Sequence, residues 1–373
     1  MGQPPWRIAL DQTRLEEQLT GIGYYAQNLL AALARQDQEN SYFIFGRSPG
    51  ADLAEYENFQ VVPFEALKLI HLLHFPTFYS SYLKFLAREG AGYRQSVFPA
   101  TRIVVTIHDC IYELRPEDYT PGSIKNFREM MSYALALAHR VIVPSQATAR
   151  DLHSLFSYPA EKIRIIPLAP SDLFRQPRDP VRQAILAKKF GLPPQYFLFV
   201  GSSFGRKNLS GILRALTILK GRGLAIPLLL VGAHYSKGRL DQFLREFPAL
   251  DKAEVILLGY VTEGDLPYLY AGAQALLYPS YYEGFGLPPL EAMAVGTPVV
   301  ASFTSSLPEV VGPAALLVDP AEPEEIAEAM ATLLTDRQLR QSLIQRGKKW
   351  VARFSWAETA RKTLAVYREL LRD

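Results

Sequence analysis

The chain has 373 residues, 49% of them hydrophobic and 21% charged, with a formal net charge of only +3. That length suits two domains of about 150 to 200 residues better than one core, and the balance excludes a mainly disordered chain or a polybasic nucleic-acid tail. The single cysteine, Cys110, excludes a disulfide framework and a cysteine-based zinc site. Met1 to Leu10 lacks the basic start, apolar run and small-residue cleavage site of a signal peptide. A myristoylation signal would need Ser or Thr where Trp6 stands. No apolar run approaches the roughly 20 residues that cross a bilayer, so the expectation is a cytoplasmic protein.

Short apolar runs alternate with helix-length segments along the chain. The first half offers strands at Arg7–Asp11, Tyr42–Gly46, Val61–Phe64, Leu72–Phe75, Ile103–Asp109, Val141–Ser145 and Ile163–Pro167. The second offers Tyr196–Gly201, Pro227–Gly232, Val255–Gly259, Ala275–Ser280, Pro298–Ser302 and Ala315–Asp319. Their apolar residues are consecutive rather than alternating, as in strands covered on both faces by helices. Between them lie helical patterns: Leu209, Ile212, Leu213, Leu216 and Leu219 share one face. The pattern is βαβα, twice.

Prolines number 27, about 7% against a usual level of about 5%. Pro167, Pro170, Pro177 and Pro180 cluster after the last strand of the first half, and that spacing reads as a stiff linker. The expected organisation is an N-terminal domain at 1–170, a Pro-rich linker at 171–190, a C-terminal domain at 191–350 and a closing helix at 351–373. Both domains are Rossmann-like α/β units with parallel sheets. Ligands of open α/β sheets sit at the carboxyl ends of strands, so segments directly after strands carry the functional reading.

Taken in order, Thr20-Gly21-Ile22-Gly23-Tyr24 opens a helix after the first strand. Gly21 and Gly23 allow close approach of the backbone to a ligand. The segment is not G-x-G-x-x-G, and no acidic residue stands about twenty positions on, which disfavours nicotinamide binding. The aromatic-basic segment Phe78–Phe98 places Phe78, Tyr82 and Phe85 at helical spacing, with Lys84, Arg88 and Arg94 nearby. It reads as a helix packing its aromatic face on the core; the alternative is an acceptor lid or an interfacial anchor for peripheral membrane contact. His108, with Asp109 after it, ends the strand that begins at Ile103. A lone strand-end His is more often structural. Asp109 either orients its imidazole or caps the segment after it. The other histidines, His71, His74, His139, His153 and His234, read as structural.

In the second half, Gly201–Leu209 (GSSFGRKNL) sets Arg206 and Lys207 between a Gly-bearing loop and a helix. A guanidinium fork beside a point charge suits a diphosphate, although such pairs are often only solvated. Ser280–Val300 (SYYEGFGLPPLEAMAVGTPVV) runs from a strand end through a Gly loop into a helix. The N–H groups of Phe285, Gly286 and Leu287 there can face an anion, aided by the helix dipole. Glu283 and Glu291 are acceptors suited to a hydroxyl-rich ligand such as ribose or a hexose.

Glu283–Glu291 resembles the Glu-x7-Glu motif of the retaining glycosyltransferases of family four, which have the GT-B fold. Gly296-Thr297-Pro298-Val299-Val300 and Leu307-Pro308-Glu309-Val310-Val311 are similar to that family as well. The resemblance implies a two-domain cleft enzyme transferring a hexose from a nucleotide-sugar to a hydroxyl acceptor with retention and without a metal; no Asp-x-Asp occurs in the chain. It gives Glu283 the donor hexose, Glu291 the ribose, and Arg206 with Lys207 the leaving diphosphate. His108 would reach the donor sugar or acceptor. Gly21 and Gly23 would face the donor diphosphate and the acceptor, and Gly201, Gly284, Phe285, Gly286 and Leu287 also belong to the implied donor site. Tyr260 and Val261 would offer backbone groups to the base, and the segment Phe354-Ser355-Trp356 resembles the family's closing element. Many relatives carry Arg where this chain has Ser202, which puts more phosphate load on Arg206 and Lys207.

The combination looks most like the mannosyltransferase subgroup, which makes GDP-mannose the first-choice donor, a substrate rather than a cofactor. UDP-glucose, UDP-N-acetylglucosamine and dTDP- or UDP-deoxysugars stay open. The implied acceptor is a glycan, glycolipid or lipid-linked hydroxyl. A nucleotide-sugar epimerase or hydrolase and a non-catalytic GT-B partner subunit are the rival readings. Nucleic acid is disfavoured because the basic residues are not interleaved with a stacking platform.

Overall fold

The computed structural model describes residues 5–13, 21–46, 53, 55–176, 179–201, 205–224, 226–232, 241 and 244–372. Thr20, Pro177, Ser202 and His234 therefore lie outside the described residues. The chain divides into two compact units, one running to Ala169 and including Phe354–Asp373, the other Pro170–Arg353.

The N-terminal unit contains β1 (Arg7–Asp11), β2 (Ser41–Phe45), β3 (Phe59–Val61), β4 (Leu72–Phe75), β5 (Arg102–Thr106), β6 (Arg140–Val143) and β7 (Ile163–Ile165). They form one parallel sheet in the order β3-β2-β1-β4-β5-β6-β7. The C-terminal unit contains β8 (Phe197–Val200), β9 (Leu228–Val231), β10 (Val255–Gly259), β11 (Ala275–Tyr278), β12 (Val299–Ser302) and β13 (Leu316–Val318). Their order is β10-β9-β8-β11-β12-β13, again parallel. Both units are doubly wound, with reversals at β1/β4 and β8/β11. Strands β4, β9, β11 and β12 are buried at every position, which is why their sequences are apolar without alternation.

Each sheet has its own core. Phe75, Leu83, Val105, Phe127 and Val141 pack together in the first unit, and Phe197, Ile212, Leu216, Leu230 and Leu277 in the second. The helix Trp356–Arg372 packs on the helix Gly21–Gln36. Its buried residues Trp356, Ala360, Leu364, Tyr367 and Leu371 recur every three or four positions, and burying one such side chain is worth roughly 2 kcal/mol gross. Glu369 on this helix accepts from Arg140 Nε at 2.8 Å and Arg164 Nε at 2.9 Å. Those two arginines begin β6 and stand in β7.

Two expectations need correction. The stiff linker expected at 171–190 is not free of helix, because the helix Pro180–Phe190 occupies half of it. Pro180 sits in the first turn, where its missing N–H has no partner to lose. Asp179 caps that turn by accepting the Val181 N–H at 2.8 Å. The helix is fixed to the second unit by Arg182 and Lys189, 2.8 and 3.2 Å from Asp265. Phe78 is not on the helix that carries Tyr82 and Phe85. That helix, Ser81–Val97, starts at its Ser80 cap and is broken at Gly90 (φ +79°).

Phe78 is nevertheless buried in the core, and Tyr82 stacks on Phe64 at 4.5 Å. Phe85 is partly exposed with its edge on Tyr93, while Lys84 and Arg88 pair with Glu129. The aromatic face is thus core packing, and the neighbouring cations are engaged within the unit. Among the described residues no helix is long and apolar enough to cross a membrane.

A buried polar chain ties the first unit together. His74 Nδ1 lies 2.5 Å from Tyr367 Oη, its Nε2 lies 2.9 Å from Thr106 Oγ1, and Thr106 Oγ1 lies 3.0 Å from Tyr25 Oη. Burial, with the charge of His108, pulls the His74 imidazole down to about 3. Below the unfolded value of about 6.5 the unfolded chain takes up a proton here that the folded chain refuses, so this contribution is intact above 6.5 and is lost as pH falls towards 3. Urea unfolding should show a steeper loss of stability from pH 7 to pH 5 in wild type than in His74→Gln. Identical slopes would remove His74 from the account.

Candidate functional site

In the C-terminal unit the segments leaving β8 and β11 meet at the strand-order reversal, the place where open α/β sheets take ligands. After β8 the chain forms a 3-10 turn, Gly205–Lys207, and Asn208 then adopts a left-handed conformation (φ +56°). The Asn208 carboxamide oxygen accepts the Gly211 N–H at 3.1 Å, capping the helix Leu209–Gly221. Its nitrogen donates to the carbonyls of Pro279 and Pro320 at 3.1 and 2.6 Å. After β11, the Tyr281 N–H donates to the Arg206 carbonyl at 2.8 Å. These bonds fix the basic pair against the Glu283 loop.

Glu283 is buried and shared by two cations: Arg206 Nη1 stands 2.8 Å from Oε2 and Lys207 Nζ 2.7 Å from Oε1. Burial alone would raise the carboxyl, but the two cations outweigh it and hold it down at about 2. The Lys207 ammonium also bonds the Tyr278 hydroxyl and lies 4.5 Å from the centre of that ring. Lys207 passes Gly201, where a Cβ would come within 3.5 Å of its Cε. Two cations against one carboxylate leave a net positive charge at the strand ends, placed to receive an anion.

The loop itself is held from β12 onward. The Glu283 N–H donates to Ser305 Oγ at 2.9 Å, and the Ser306 hydroxyl lies 2.8 and 2.7 Å from the carbonyls of Glu283 and Phe285. Gly286 ends the loop at φ +112°, where a Cβ would sit 2.7 Å from a Leu307 methyl, so glycine is favoured. It precedes the helix Leu287–Val295 without side-chain capping. Pro288 and Pro289 bring no N–H, so the backbone N–H groups at this helix start are those of Phe285, Gly286 and Leu287.

Glu291 stands on that helix. Its Oε2 accepts the Tyr270 hydroxyl at 2.8 Å, and Thr297 Oγ1 donates to the Tyr270 carbonyl at 2.6 Å. Burial chiefly raises the Glu291 carboxyl to about 7. Glu263 adds to that, while Tyr270 and Lys207 oppose it. Tyr260 is exposed and Val261 buried just beyond Gly259, the end of β10.

The structure thus brings Arg206, Lys207, Glu283 and Gly201 together, with Gly284 to Leu287 continuing the same loop. Sequence reading missed Tyr278, Tyr270, Asn208, Ser305 and Ser306. The only signals for them were a Tyr closing a buried strand and a Ser pair next to the Leu307–Val311 run.

His108, Gly21 and Gly23 belong to the N-terminal unit. Strand β5 ends at Thr106, so His108 lies two residues beyond it rather than at its last position. Its Nε2 is 2.8 Å from the Pro76 carbonyl, an acceptor only, which puts the proton of the neutral ring on Nε2. Burial holds the imidazole below its ordinary value against the Pro76 carbonyl and Asp109. Asp109 is a cap: its Oδ1 accepts the Ile111 N–H at 3.1 Å. Gly21 opens the helix with open space where a Cβ would stand, while Gly23 is buried.

The family model of group 1 glycosyl transferases matches residues 183–350, and that of glycosyltransferase family 4 matches residues 19–169. The O-antigen chain mannosyltransferase B of Escherichia coli is 36% identical over 273 residues, covering 72% of this chain and 71% of that protein. The chain belongs to glycosyltransferase family 4. This glycosyltransferase is also 30% identical over 303 residues to the serotype-specific mannosyltransferase WbdA of the same species, covering 78% of this chain and 37% of WbdA. Among solved structures, the sucrose-phosphate synthase of Thermosynechococcus elongatus superposes with a TM-score of 0.75 at 23% identity, covering 98% and 99% of the two chains. Anabaena HepE in complex with UDP gives 0.71 at 19%, covering 98% and 100%. The fold is GT-B.

Removing one member of a buried charge cluster strands the other. Lys207→Met and Glu283→Gln should each cost about 3 kcal/mol, and the double variant should cost at least about 1 kcal/mol less than their sum. Additive losses in urea unfolding would show that the two side chains act independently.

Proposed function

We propose that this glycosyltransferase moves mannose from GDP-mannose to a hydroxyl of a glycan or lipid-linked glycan, with retention at the anomeric carbon and without a metal. The observation that carries the reading is the Arg206–Glu283–Lys207 cluster at the β8/β11 reversal, in a chain 36% identical to an O-antigen chain mannosyltransferase. Leaving-group charge is what such a transfer must stabilise. As the bond from C1 to the β-phosphate oxygen breaks, Arg206 grips the diphosphate as a fork and Lys207 as a point charge. The N–H groups of Phe285 to Leu287 add donors at a helix start.

Glu283 orders the two cations and accepts from a hydroxyl of the hexose. No carboxylate is assigned as a covalent nucleophile. The acceptor oxygen bonds C1 on the face the phosphate leaves, and its proton passes to the departing phosphate oxygen. Glu291 accepts from the ribose, Tyr260 and Val261 offer backbone groups to the base, and His108 is the residue of the N-terminal unit assigned to the sugar or the acceptor. Metal independence is supported by the absence of Asp-x-Asp from the chain.

Lys207→Ala and Glu283→Ala should each lower mannosyl transfer at least about 100-fold with the far-ultraviolet circular dichroism unchanged. Wild-type turnover in either would sink the assignment. Titration with GDP and UDP decides the base, and tight UDP binding without GDP binding replaces GDP-mannose by a UDP-sugar. Donor turnover without any acceptor would instead favour a hydrolase or epimerase.

Ribose hydroxyls donate to Glu291, so binding favours its ionised form. Nucleoside diphosphate affinity should therefore rise as pH passes through about 7, and Glu291→Gln should remove that rise. An unchanged pH profile in the variant would place the ribose elsewhere.

A further inference from the structure

A cavity of about 440 Å3 opens in the N-terminal unit, at the opposite edge of the sheet from the strand ends that precede Thr77 and His108. Its lining includes Leu73 at the start of β4, Arg102 and Ile103 at the start of β5, His139 and Arg140 at the start of β6, and Lys162 just before β7. Strands of four or five residues put it about 15 Å from the carboxyl edge. It is therefore separate from the carboxyl edge at which Thr77 and His108 stand.

Two chemistries meet in this cavity. Leu73, Leu86, Phe98, Ile103, Leu137 and Leu370 give it an apolar wall. Arg94, Arg102, Arg140 and Lys162 give it four cations, and among the described residues no carboxylate lines it. Glu369 is shared between Arg140 and Arg164, so one carboxylate answers two guanidiniums before Arg94, Arg102 and Lys162 are considered. Arg94 is turned onto the Leu86 carbonyl at 2.9 Å. Arg102 Nε is buried with no hydrogen-bond partner among the described residues, a condition that costs free energy unless something else accepts from it. His139 Nδ1 accepts the Ile103 N–H at 3.0 Å, which leaves Nε2 as the protonated nitrogen of the neutral ring. Burial, then Arg102, Lys162 and Arg140, disfavour a second proton, a sign of how positive the space is.

We propose that this cavity binds a small amphipathic anion from solution, its apolar body against the leucine wall and its phosphate or carboxylate head on Arg102, Arg140 and Lys162. The volume lies within the range of about 300 to 1,000 Å3 typical of small-molecule sites. A single alkyl chain with one charged head matches both halves of the lining. The assignment does not rest on the donor or on the transfer reaction, because none of these residues belongs to the proposed donor site.

Calorimetric titration of the full chain with decyl phosphate below its micellar concentration tests it. Saturable binding of one decyl phosphate per chain is expected, at least tenfold tighter than inorganic phosphate and unaffected by saturating GDP or UDP. Decanol, which lacks the head, should show no such binding. The double variant Arg102→Gln/Lys162→Gln should weaken binding at least tenfold. Ala136→Trp, which adds bulk at an exposed lining position and leaves every cation in place, should weaken it comparably. Equal binding of decanol and decyl phosphate, wild-type affinity in both variants, displacement by a nucleotide, or attachment only to phosphatidylglycerol vesicles would each overturn the proposal.

Discussion

One buried carboxylate organises the C-terminal unit's site. Glu283 is taken out of water on a loop, which by itself would favour its neutral form, and it stays ionised because Arg206 and Lys207 both reach it. The same contacts keep two cations at the ends of β8 and β11 rather than dispersed in solvent. A long basic side chain in a loop ordinarily samples many rotamers and binds an anion at an entropic cost. Here the cost is met on folding, so the proposed diphosphate finds a preorganised receptor. Tyr278 beneath the Lys207 ammonium adds a face that suits a cation and repels nothing.

The geometry that allows this is set by backbone constraints at a few positions. Asn208 in the left-handed region turns the chain from the basic pair into its helix. Gly286, with a positive φ, lets the Glu283 loop pass close to Leu307. Gly232 does the same at the end of β9: a Cβ there would stand 2.1 Å from the Gly201 carbonyl oxygen, so the strand beside β8 also requires glycine. The Ser305–Ser306 pair holds the loop through its backbone. In the N-terminal unit the equivalent task falls to hydrogen bonds among His74, Thr106, Tyr25 and Tyr367, which join β4 and β5 to the two helices packed over them.

Much of this was legible in the residues. Each expected strand overlaps an observed one, because runs of consecutive apolar residues pack between helix layers, but the ends shift by up to three residues: Val61–Phe64 overlaps Phe59–Val61 only at Val61, with Phe64 in a 3-10 turn, and the strand expected to reach Asp109 ends at Thr106. The basic pair and the Glu283–Glu291 loop were legible because each comes directly after a strand. The prolines misled: four in fourteen residues suggested a stiff linker, yet Pro180 starts a helix, since a proline is disfavoured inside a helix and not in its first turn. Tyr270 and Tyr278 were not legible. They lie in apolar segments where an aromatic reads as core, and their hydroxyls find Glu291 and Lys207 at sequence separations of 21 and 71. No local pattern encodes such a pairing. The basic cavity was hidden for the same reason, since its cations come from the starts of separate strands and the helix before them.

The central claim is that Arg206 and Lys207 serve the second phosphate of the nucleotide, and the difference in affinity between a nucleoside diphosphate and its monophosphate measures that service directly. Calorimetry with GDP and GMP, or with UDP and UMP if the uridine pair binds more tightly, should show the diphosphate favoured at least tenfold in wild type and by little in Arg206→Ala/Lys207→Ala, with monophosphate affinity nearly unchanged. A diphosphate preference that survives the double substitution would contradict the account.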